Sequence, residues 1–68
     1  MNPAYKAIER EYLACVRHYN ALLGMEEKSH RLNSVILMLN RQIAEYERFL
    51  GRNNIARALR RYGLFLKT

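Results

Sequence analysis

Cys15 and His18 stand three residues apart, one helical turn, and could offer a thiolate and an imidazole to the same metal ion. A structural zinc site needs four such ligands and a catalytic one three, and His30 is the only other imidazole in the chain. Glu27 and His30 repeat the Glu-x-x-His spacing of di-iron carboxylate bundles. Those sites draw further glutamates from facing helices, and neither apolar seam here supplies one. The expectation is a buried free thiol, surface histidines, and no metal or cofactor. Ser29, Ser34, Thr68 and Cys15 are nucleophiles by type only, because no spacing sets a base and an orienting carboxylate beside any of them. Gly24, Gly51 and Gly63 lack the lysine and the strand-to-helix setting of a phosphate loop. The chain is therefore read as non-enzymatic.

The residues best suited to a task are cationic. Arg52, Arg57, Arg60, Arg61 and Lys67 lie in a C-terminal stretch without a single acid and supply +5 of the +6 net charge. Guanidinium groups bind phosphates and carboxylates bidentately, and a helix sets Arg57, Arg60 and Arg61 on one face. This basic face is the candidate partner-binding site. The same arginines have acids within the chain to pair with, namely Glu9, Glu11, Glu45 and Glu47. Tyr5, Tyr12 and Tyr19, seven apart, would form an aromatic ladder able to stack on bases, but Ile8, Cys15 and Leu22 share their line. That company marks the tyrosines as core or interface.

Three helices are predicted to position these groups. Helix 1, about 3–23, opens on Asn2-Pro3, a capping side chain followed by a residue with no N–H to leave unpaired. Tyr5, Ile8, Tyr12, Cys15, Tyr19 and Leu22 then alternate steps of three and four, the spacing of a coiled-coil seam. Gly24 is expected to end it in the left-handed conformation. Helix 2, about 26–50, would take Glu26 and Glu27 as first-turn acids and run its seam through Leu32, Ile36, Leu39, Ile43, Tyr46 and Leu50 until Gly51 stops it. Arg41, Glu45 and Arg48 would form a charge ladder off that seam.

Val35 to Leu39 is apolar without a break and so points all the way round its helix. One neighbour cannot cover that ring, which makes Val35, Leu37 and Met38 the expected oligomer or partner-helix interface. Helix 3, about 54–66, would be capped by Asn53 or Asn54 and carry Ile55, Leu59, Tyr62 and Leu66 on one stripe opposite the arginines. Leu64-Phe65-Leu66 reads either as its frayed last turn or as an apolar hook onto the other two helices.

The resulting architecture is all-α: an antiparallel helical hairpin plus a shorter basic C-terminal helix, forming one domain over 1–68, packed as a three-helix unit or a dimerised bundle. A chain of 68 residues buries a modest core, so self-association, a dimer first, is expected. The lone cysteine excludes an intrachain disulfide and favours a reducing, cytoplasmic setting. No apolar run approaches the roughly 20 residues that span a bilayer, and a basic amphipathic helix on an anionic membrane, with Leu64, Phe65 and Leu66 as its apolar edge, ranks last because that stripe is more economically used covering Val35 and Leu37. The functional expectation is a protein-interaction module, such as an adaptor, cochaperone, inhibitor or structural subunit. Its alternative is a largely non-sequence-specific nucleic-acid binder that lays the arginine helix on phosphates.

Overall fold

The computed structural model describes residues 3–26 and 29–66 and contains α1 (Pro3–Leu23), α2 (His30–Leu50) and α3 (Arg52–Arg61), with no strand among the described residues. α1 and α2 pack side by side as a hairpin and α3 folds back to touch both. The all-α three-helix unit expected from the spacing is the observed fold.

α1 begins at Pro3, as anticipated, while its predicted cap Asn2 lies outside the described residues. Its end differs from expectation. Gly24 is not left-handed, since only Gly51 and Gly63 have positive φ among the described residues. Instead the last turn tightens: the Gly24 N–H donates to the carbonyls of Asn20 and Ala21, both at 3.2 Å, and the Met25 N–H donates to Leu22 at 3.2 Å. Such shared, shorter-span bonds satisfy the orphaned carbonyls without a glycine conformation.

α2 starts later than predicted because Ser29 is its cap. Extended backbone there (φ −88°, ψ 170°) lets Oγ accept the Leu32 N–H at 3.2 Å. Glu26 consequently sits in the connection and is not a first-turn acid, and Glu27 lies outside the described residues. The expected Arg41–Glu45–Arg48 ladder closes no ion pair.

The corner between α2 and α3 is a single residue. Gly51 takes φ 88° and ψ 148°, a conformation that side-chain-bearing residues essentially avoid. Its N–H closes α2 onto Glu47 O, and its carbonyl accepts the Ile55 N–H, both at 3.0 Å. α3 therefore starts at Arg52, ahead of the asparagines predicted to cap it. Asn54 serves the preceding helix, its Nδ2 donating to Leu50 O at 2.8 Å.

α3 also ends early, at Arg61 and not near 66. Gly63 is left-handed (φ 64°), its N–H donates to Arg60 O at 3.2 Å, and the Leu64 N–H donates to Leu59 O at 2.8 Å. This paired closure is a Schellman motif. The tail that follows is the apolar hook: Leu64 and Leu66 are half-buried against the core, and Asn20 Nδ2 donates to Phe65 O. Tyr62, predicted on the buried stripe, falls at the cap and is exposed.

Tyr12, Leu13, Val16 and Tyr19 of α1, Ile43 and Leu50 of α2, and Ile55 and Ala58 of α3 form the core. Every predicted seam position of α2 is buried or half-buried. On α1 the seam accounts for Tyr12 and Tyr19, whereas Leu13 and Val16 lie off it and Cys15 and Leu22 are only half-buried. The reason is the third element. At about 100° per residue, Glu9, Leu13, Val16 and Asn20 form a second line beside the seam, and the Asn20–Phe65 bond shows the C-terminal tail reaching that flank.

Candidate binding surface on the third helix

Ile55, Ala58 and Leu59 hold α3 against the hairpin, the small Ala58 allowing close approach. That anchoring fixes the direction of everything else on the helix. Arg57 and Arg60 point opposite the buried stripe, and Arg52 and Arg61 flank them on either side; all four are exposed. Lys67, grouped with them in the sequence, lies outside the described residues.

The flanking arginines meet cations from the other helices. Arg52 lines an open cleft of about 340 Å³ with Ala44, Glu47, Arg48 and Ile55. Across α3, Arg57 and Arg61 line a second cleft of about 160 Å³ with Tyr5, Lys6, Glu9, Asn54 and Ala58. The basic surface thus runs from Arg48 on α2, over the arginines of α3, to Lys6 on α1, with Glu47 and Glu9 each set into one of its two clefts. Sequence reasoning missed Lys6 and Arg48. The signal that points to them is the second apolar line on α1, because it requires α3 to lie beside that flank.

Of the acids offered as internal partners, Glu47 and Glu11 accept hydrogen bonds from tyrosines. Tyr12 OH donates to Glu47 Oε2 at 3.2 Å and Tyr46 OH donates to Glu11 Oε2 at 3.0 Å. Between these bonds the two rings meet edge to face, with centroids 6.4 Å apart and planes at 77°. No carboxylate among the described residues closes an ion pair with Arg52, Arg57, Arg60 or Arg61. Burial, then the Glu47 charge and the bond to it, push the Tyr12 hydroxyl above its ordinary range. For Tyr46 the bond with Gln42 pulls downward, and burial together with Glu11 outweighs it, leaving a raised value.

Tyr12 and Tyr19 are buried and Tyr5 is half-buried at the second cleft, so the ladder faces inward. Cys15 is half-buried; burial and then the Glu11 charge raise its pKa and hold it as the thiol. His18 and His30 are exposed. Among the described residues no group of three or more His, Cys, Asp or Glu converges as a metal site. No described helix is long and apolar enough to cross a membrane. Of the predicted interface, Val35 is half-buried while Leu37 and Met38 stand out at 62% and 69% exposure.

Together these features define a class: a three-helix all-α unit with a face of arginines that close no ion pair among the described residues. No family model, curated protein or solved structure matches this chain.

Proposed function

We propose that the protein is a small, non-enzymatic, cytoplasmic interaction module, of the adaptor, cochaperone, inhibitor or structural-subunit kind, that grips an acidic surface of a partner protein through α3. The observation that carries this reading is the unpaired state of Arg52, Arg57, Arg60 and Arg61 on a helix whose other face is committed to the core. Exposed guanidinium groups that close no ion pair among the described residues are available for charge-assisted, bidentate bonds. Turnover is not part of the reading, because among the described residues no nucleophile is paired with a base and both described clefts are open.

The continuation of the cations onto Lys6 and Arg48 favours one second reading, in which the partner is an extended phosphate backbone. The variant Arg57→Gln/Arg60→Gln/Arg61→Gln separates the possibilities. Its helicity should match the parent, since Gln forms helix nearly as well as Arg, and partner proteins retained by the parent should be lost. Duplex DNA, single-stranded DNA and structured RNA are then titrated at two salt concentrations. A steep salt dependence that becomes shallower by about 0.7–0.9 per removed contact would establish the phosphate reading. If the variant binds every partner as tightly as the parent, the arginines are only a solvated face and both readings fail.

A further inference from the structure

The exposed side of α2 has a different character from α3. Arg31, Val35, Met38, Gln42, Glu45 and Phe49 follow one another at steps of four and three and form one line along the helix, about a quarter turn round from the buried seam. Val35 is half-buried and the other five are exposed, with Met38 at 69% and Phe49 at 59%. Arg31 and Glu45 close no ion pair among the described residues. Leu37 lies about a quarter turn round from Met38, at the margin of this line.

The order of charges along the line is antisymmetric. Arg31 precedes Met38 by seven residues and Glu45 follows it by seven. A two-fold axis through Met38 therefore lays Arg31 of one copy beside Glu45 of the other, and does so twice, with methionine on methionine between them. Val35 falls within one residue's rise of the aliphatic part of Gln42 across the same axis. A parallel pairing would set arginine on arginine and glutamate on glutamate, which is disfavoured. The α3 face, all of one sign, cannot pair with itself at all.

We propose that the Met38 line of α2 is an isologous dimer interface, occupied by the antiparallel α2 of a second copy of this chain. This inference stands on α2 alone and does not depend on what α3 binds. One helix face per partner is a small contact, so the dimer is expected to be reversible.

Sedimentation of the full chain from about 1 to 100 μM tests it, with circular dichroism confirming unchanged helicity. The parent should show a monomer–dimer equilibrium. Arg31→Glu and Glu45→Arg, each felt twice across the axis, should each weaken dimerisation by about tenfold, and the two together should restore the parent affinity within about threefold. Met38→Glu, which sets two carboxylates face to face on the axis, should give a monomer. The proposal is overturned by a parent that stays monomeric at the top concentration, by a dimer indifferent to the single reversals, or by a double reversal as weak as the singles.

Discussion

At the end of the molecule where α3 lies over the hairpin, Tyr12, Leu13, Val16, Ile43, Leu50 and Ala58 are all buried. At the end where α1 turns into α2, Leu22, Leu23, Leu32, Val35 and Ile36 are no more than half-buried, and Met25, Leu37 and Met38 are over half exposed. Both ends have the same heptad spacing and similarly apolar residues. What separates them is how far the third element reaches: α3 and its tail cover the hairpin as far as Asn20, and beyond it two helices meet. A pair of helices can bury a seam but not its flanks, so this protein's cohesion is concentrated where α3 and its tail supply the third wall.

The comparison predicts a gradient of mutational cost. Ile43→Ala, in the three-element region, should destabilise by about 2–5 kcal/mol. Ile36→Ala, half-buried two turns earlier on the same seam, should cost clearly less in the same denaturant melts. Equal costs would mean that α3 contributes nothing to the packing and that the contrast between the ends is false.

A second test loosens the third wall at its corner. Gly51→Ala should cost about 1–3 kcal/mol, because φ 88° and ψ 148° are nearly closed to residues with a Cβ. Crowding adds little, since a Cβ there would meet only Asn54 Nδ2, at 3.9 Å. Gly63→Ala, at φ 64° with open space around it, should cost about 1–2 kcal/mol. Amide exchange in the Gly51→Ala protein should accelerate first along α3, leaving the α1–α2 contacts longer protected.

The mildest change is Tyr12→Phe, expected to cost about 0.5–1.5 kcal/mol at neutral pH through the lost bond to Glu47. Its pH dependence sharpens the point. The folded chain holds the Tyr12 proton more tightly than the unfolded chain, whose tyrosine titrates near the ordinary value of 10.0. That contribution is therefore intact below this value and is lost as pH rises above it. Cys15 and Tyr46, both raised, act in the same direction. Melts at increasing alkalinity should show the parent losing stability more steeply than the Phe variant, with parallel curves as the contrary result.

Periodicity alone located the three helices and the whole contact line of α2. It also placed the arginines on one face of the third helix, and their exposure follows from the apolar stripe opposite. It failed wherever a second neighbour or a particular side-chain reach decided the outcome. Leu13 and Val16 were passed over because a single seam implies a single partner, while α1 has two. The spacing offers Asn53 or Asn54 forward as a cap, yet the Asn54 amide reaches back to Leu50. Spacing cannot tell those two directions apart. Lys6 and Arg48 joined the basic surface from distant parts of the chain, and only the placement of α3 between them brings them together.

The crossed tyrosine and glutamate pairs also govern alignment. A heptad seam is nearly indifferent to sliding by seven residues, since apolar positions again meet apolar positions. Such a slip would bring Leu39 and Asn40 to the places held by Tyr46 and Glu47. Tyr12 would then face an amide in place of its carboxylate, Glu11 would lose its hydroxyl donor, and the edge-to-face ring contact would vanish. Exchanging a hydroxyl bond to a charged carboxylate for one to a neutral amide, and losing the other bond, costs about 1–3 kcal/mol. Glu11-Tyr12 against Tyr46-Glu47 thus works as a vernier mark on two otherwise repetitive scales, allowing one setting of the helices and penalising the next.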